Sequence, residues 1–135
     1  MSQVLDSGVL LEFFEDGNAA DEVEALLLRT EKARRRVWIT QLTWAELYYR
    51  ALTKSRETAE HVAREMKMLP IEVCEEDRDF SLSREAMAVR LIFKGEKIGV
   101  AYSVALARIK RAELWTCDKT LEAIPNLKIR IVGRK

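Results

Sequence analysis

Three acids stand where strand-like segments give way to helix-like ones, and their type and placement point to one kind of chemistry. Asp6 ends the apolar run "QVLD", Asp118 follows "ELWT", and Glu46 lies early in the helix expected after "RVWIT". Carboxylates gathered at one end of a buried parallel sheet repel one another unless a cation lies between them. Their hard oxygens favour Mg²⁺ or Mn²⁺ over zinc. Such ions polarise a phosphoryl oxygen, lower the pKa of water and stabilise a leaving oxygen, so the implied reaction is hydrolysis of a phosphate ester. Each acid also has a plainer role. Asp6 and Asp118 are placed to cap the helices that follow them, and Thr43 with Glu46 has the spacing of a capping box. The two roles are compatible, because a helix N-terminus keeps a carboxylate in the anionic form that a cation needs.

The elements that must position these acids follow from periodicity. Val9, Leu10, Phe13 and Phe14 fall at helical spacing after the first strand. Val23, Leu26 and Leu27 mark one face of a second helix, with Asp21 and Glu24 in capping-box spacing at its start. "TWAELYYRALTKS" and "RETAEHVAREMKML" read as two further helices, the latter closed by Pro70. "IEV" is a third strand, residues 81–93 and 100–111 are helical, and "ELWT" and "KIRIV" are the fourth and fifth strands. "DKTLEAI" has room for one or two helical turns between the last two. Strands separated by helices imply right-handed crossovers and a parallel sheet. The expected fold is a three-layer α/β/α sandwich with a central parallel sheet of four to five strands, formed by residues 1–135 as a single domain. In such sheets ligands settle beyond the carboxyl ends of the strands, where these acids lie.

Composition sets outer limits. Charged residues make up 33% of the 135, hydrophobic residues 48%, and the net charge is +1. This balance is that of a globular chain rather than a disordered one, and no basic excess marks a nucleic-acid binder. No apolar run approaches the roughly 18 residues of a membrane span, and the first residues lack the pattern of a secretion signal, so a cytoplasmic address without membrane association is expected. Cys74 and Cys117 have no metal-binding spacing and read as free thiols. No glycine-rich phosphate loop is present, which argues against a nucleotide-binding domain. Arg34 to Arg36 lie before the second strand, opposite the acids, and read as a solvated turn with phosphate contact as the rival. Trp44, Tyr48 and Leu52 share a helix face, for which core packing is the default and an interface the competitor. His61 reads as a surface residue.

The stretches "VLDSGVLLEFF", "ITQLTWAELYYRAL", "AYSVALARIKRAELWTCD" and "IPNLKIRIV", in this order and spacing, resemble the PIN domain, most of all the toxin nucleases of VapBC toxin–antitoxin pairs. The resemblance implies a ribonuclease dependent on Mg²⁺ or Mn²⁺ and built on four acids. Carried over by position, Asp6 is the first, Glu46 the second and Asp118 the fourth, together forming the catalytic and metal-holding set. Ser7 and Thr116 match the small hydroxyl residues that flank the family's acids. The third acid is absent: alignment on Ala101 to Ala107 puts Val100 in its place. Valine has no lone pair for a cation, so an impaired enzyme is expected. Glu96, four residues upstream, is a distant candidate to lean in. The resemblance further implies an RNA substrate, a homodimer, and an antitoxin protein seated in an apolar groove to which "VLLEFF" contributes. The alternative is a non-catalytic PIN-fold protein acting by partner or RNA binding.

Overall fold

The computed structural model describes residues 1–133. In chain order the elements are β1 (Gln3–Leu5), α1 (Ser7–Phe14), α2 (Ala20–Lys32), β2 (Val37–Thr40), α3 (Gln41–Leu52) and α4 (Arg56–Met68). Then come β3 (Ile71–Cys74), α5 (Ser81–Ile92), α6 (Ile98–Lys110), β4 (Glu113–Thr116), a 3-10 helix (Lys119–Ala123) and β5 (Ile129–Ile131). The strands form one five-stranded sheet in the order β3-β2-β1-β4-β5, every neighbouring pair parallel. This is the expected α/β/α arrangement at the upper end of the expected strand number.

The sheet is covered on both faces because successive side chains of a strand point to opposite sides. Leu5, Val37, Ile39 and Trp115 face a core shared with Val9, Leu10, Val23 and Leu27 of α1 and α2. Val4 and Leu114 face the other core, filled by Val89 of α5 and by Ala101, Val104 and Leu106 of α6. The small residues of α6 let that helix lie close to the strands.

Strand order reverses at β1. The chain adds β2 and β3 on one side of it, then crosses through α5 and α6 to add β4 and β5 on the other. A crevice therefore opens beyond the carboxyl ends of β1 and β4, where Asp6 and Asp118 follow their strands.

Several boundaries differ from expectation. Helix α3 is capped by Thr40, whose side chain accepts from the Thr43 amide at 3.1 Å, so no capping box links Thr43 to Glu46. Two threonines three residues apart both fit a cap, and β2 ends early enough for the first to take it. Helix α2 begins at Ala20 without any side-chain cap, which removes Asp21 and Glu24 as a box and leaves Asp21 in the first turn. Helix α6 begins at Ile98, two residues before the expected start, so Gly99 is helical rather than part of a loop.

Candidate functional site

Asp6 is set by its strand. Its amide donates to the Trp115 carbonyl at 3.2 Å, continuing the β1–β4 ladder, and its side chain turns back to cap α1, accepting from the Val9 amide at 3.0 Å. The Thr116 hydroxyl also donates to this carboxylate, and the residue is only 6% exposed. Burial raises the Asp6 pKa above its ordinary value. The Thr116 and Val9 hydrogen bonds oppose that shift, and the charges of Asp118 and Glu46 add to it.

Asp118 leaves β4 in the same way. It caps the 3-10 helix through Oδ1, which accepts from the Thr120 amide at 2.9 Å and the Thr120 hydroxyl at 2.7 Å. Its own amide donates to Thr116 Oγ1 at 3.1 Å. One fully buried hydroxyl thus fixes both acids, donating to Asp6 and accepting from the backbone of Asp118. Capping uses only part of the acceptor capacity of a carboxylate, so both acids keep lone pairs for another partner.

Glu46 comes from α3 and is held by Ser7, whose Oγ donates to Glu46 Oε2 at 2.9 Å. Its other oxygen lies against Gly99 in the first turn of α6, where a Cβ would collide with it. Val100 follows, half-buried, with its packing on the α5–α6 side of the sheet. Asp6, Ser7, Glu46, Val100, Thr116 and Asp118 all line one open hollow of about 640 Å³.

The hollow also holds residues that the sequence left at its margin or did not single out. Glu96 lines it, half-buried, with its carboxyl raised first by burial and then by Asp118. Among the described residues Lys97 is the single cation of the lining, and Cys117 stands between Thr116 and Asp118, its thiol pushed up to about 11 by burial and then by Asp6 and other nearby acids. Glu96 was the distant candidate of the sequence and is found in the lining, whereas Lys97 needed the tertiary structure, because the turn from α5 into α6 brings residues 96 and 97 to the hollow.

The donor set suits a hard divalent cation in kind: carboxylate oxygens, no imidazole, and mutual repulsion that a cation would relieve. It falls short in closeness. Among the described residues, no three His, Cys, Asp or Glu side chains form a group able to hold an ion as they stand. The wall at position 100 is apolar, and nothing there draws the remaining acids inward.

The other candidates separate cleanly. His61 is exposed and lies 3.6 Å from Glu65. Trp44 of α3 packs on the core and stacks on Tyr48 with ring centroids 5.2 Å apart, while Leu52 is exposed. In "VLLEFF", Val9 and Leu10 are core residues, whereas Leu11 and Phe14 line a small apolar cavity of about 50 Å³ with Leu47, Ala51 and Val62. Arg34 to Arg36 are exposed at the amino ends of the strands, away from the hollow.

Comparison with known proteins adds an independent line. A family model of the PIN domain matches residues 4–127. A search of curated proteins finds no match. Among solved structures, a toxin–antitoxin complex from Klebsiella pneumoniae superposes with a TM-score of 0.74 at 18% identity, covering 99% of both chains. VapBC2 from Rickettsia felis, bound to a DNA fragment from its promoter, gives 0.71 at 15% identity over 98% of this chain and 99% of that one. VapBC-1 from nontypeable Haemophilus influenzae gives 0.70 at 17% identity over 97% and 98%.

Proposed function

The chain belongs to the PIN domain family, and from that membership we propose that it is the toxin component of a toxin–antitoxin pair, a metal-dependent endoribonuclease weakened in this copy by Val100. The observation that carries the reading is the shared hollow: Asp6, Glu46 and Asp118, distant in sequence, line it together with residue 100.

In this reading Asp6, Glu46 and Asp118 hold Mg²⁺ or Mn²⁺. When bound, such an ion polarises the phosphodiester, supplies a nucleophile from water near neutral pH and offsets charge on the leaving oxygen. The residues of the chain do the rest. Thr116 keeps Asp6 and Asp118 in register with each other, and Ser7 orients Glu46. Lys97, at the rim, is placed to meet a phosphate oxygen. Val100 contributes neither lone pair nor charge beside Asp6, Glu46 and Asp118.

The test is Val100→Asp. This residue is the third of α6, where an acid is favoured by about 0.3–1 kcal/mol through the helix dipole, so the variant should fold. The expected result is Mn²⁺ affinity raised at least about tenfold, by calorimetry, with RNA cleavage gained in parallel. No gain in either would remove the assignment of position 100.

A second reading, a PIN-fold protein without chemistry, is favoured by the absence of a ready three-carboxylate group among the described residues. It predicts partner or RNA binding indifferent to chelator and no rescue by Val100→Asp.

An antitoxin partner belongs to the leading reading. Its support is that the similar structures are toxin–antitoxin complexes and that Leu11, Phe14 and Leu47 offer an apolar seat. A homodimer belongs to it too, with exposed Met87 and Leu91 sharing one face of α5. So does a cytoplasmic location; among the described residues no helix is long and apolar enough to cross a membrane.

A further inference from the structure

At the amino ends of the strands, opposite the acids, the fold gathers positive charge. Arg34, Arg35 and Arg36 form the turn into β2 and stand as a ridge between two open hollows of about 570 and 280 Å³. Arg29 and Trp38 line the first, Lys67 the second. Lys110 reaches the same edge from α6, its Nζ 3.9 Å from the centroid of the Trp38 ring. Helices α2, α4 and α6 each place basic residues in their last turn, and each is followed by a strand that starts here.

The helix dipole explains why cations are tolerated at these helix ends. It does not explain why so many lack partners. By contrast Arg50 and Arg130 pair with Glu15 and Glu22, and in the last turn of α6 Arg108 pairs with Glu85. Among the described residues, Arg29, Arg34 and Arg35 make no ion pair and no side-chain hydrogen bond. The linings of the two hollows contain one acid each, Glu72 and Glu31.

On the ribonuclease reading, we infer that this basic edge is a docking surface for the phosphodiester backbone of single-stranded RNA, separate from the acidic hollow. A polyanion finds no attraction at the acids, and a net charge of +1 gives the whole molecule little long-range pull. Its grip must come from a local concentration of cations, with an aromatic wall such as Trp38 beside it, which is how nonspecific single-strand binding is built. The 13 residues of α6 run from the hollow to this edge, about 20 Å at the helical rise. A strand touching both ends therefore needs at least about six nucleotides at a stacked rise near 3.4 Å. The substrate class is RNA longer than that, with short oligonucleotides bound poorly.

The experiment measures anisotropy of a labelled, unstructured RNA of about 20 nucleotides with the full chain in chelator, at about 50 to 200 mM salt. Arg29→Gln/Arg34→Gln/Arg35→Gln is compared with the wild type, with the matching Lys triple, and with Arg56→Gln/Arg64→Gln/Arg84→Gln, which removes the same charge from other exposed sites. Three lost phosphate contacts at about 0.7 each should lower the slope of log affinity against log salt by about 2 and weaken binding by about tenfold or more. The Lys triple and the control should bind as the wild type does. Equal binding by the Gln triple and the wild type overturns the proposal, as does wild type that fails to bind RNA. Displacement of the RNA by polyglutamate at equal charge also overturns it, in favour of an acidic protein segment. Chelator keeps cleavage out of the readout, so a failed Val100→Asp rescue is registered separately from a failed docking surface.

Discussion

Gly99→Ala should separate stability from function. The new Cβ would occupy the space of Glu46 Oε1, which is the far end of a flexible and exposed side chain, so Glu46 swings away instead of α6 moving. Two effects on stability then oppose each other. Alanine is better than glycine inside a helix by up to about 1 kcal/mol, less in a first turn. Loss of the 2.9 Å Ser7–Glu46 hydrogen bond costs about 0.5–1.5 kcal/mol, toward the low end at an exposed site. The variant should lie within about 1 kcal/mol of its parent, a melting shift of no more than about 4 °C for a chain of this size. Metal binding has no such compensation. In a Val100→Asp background, Gly99→Ala should weaken Mn²⁺ by about tenfold or more, read by calorimetry, and Glu46→Gln should weaken it similarly. Because both changes act through one carboxylate, combining them should add little. Unchanged Mn²⁺ affinity, or a melting point lowered by about 10 °C or more, would refute the view that Gly99 exists to seat Glu46.

Two further outcomes follow from the same geometry. The folded-state pKa of Asp6 is raised above 3.8, chiefly by burial, so the fold binds that proton more tightly than the unfolded chain does. The associated stability is fully present below the unfolded value and lost as pH rises through the raised one. In chelator, Asp6→Asn should therefore be more stable than the wild type at neutral pH, with the advantage shrinking toward pH 4, and urea denaturation showing a gap that widens on acidification would contradict this. Ser103, on the buried face of α6, has a hydroxyl without a hydrogen-bond partner among the described residues, and Ser103→Ala should stabilise by about 1 kcal/mol in the same assay, a loss counting against it.

Local chemistry made much of this protein legible from its sequence. Hydrophobic periodicity marked each helix and strand because burial on one stripe, or on both faces of a sheet, requires it. Pro70 marked the end of α4 because the residue before a proline is held extended, as Leu69 is. That Asp6 and Asp118 meet at one edge was legible because Asp6 directly follows β1 and Asp118 lies one residue beyond the end of β4, and backbone geometry delivers such residues to the carboxyl edge. Glu46 was found, yet its capping role was misassigned, since choosing between Thr40 and Thr43 depends on where β2 stops pairing.

Tertiary structure decided everything that depends on which surfaces meet. Strand order has no local signature, and only the reversal at β1 places β4 beside it so that Asp6 and Asp118 share Thr116. The early start of α6 put Gly99 against Glu46 and carried Glu96 and Lys97 into the hollow, placements between residues far apart in sequence that no periodicity encodes. The basic edge arose likewise. Each run of arginine or lysine reads locally as a helix end completing its own dipole, and the parallel topology brings those ends to one side of the molecule.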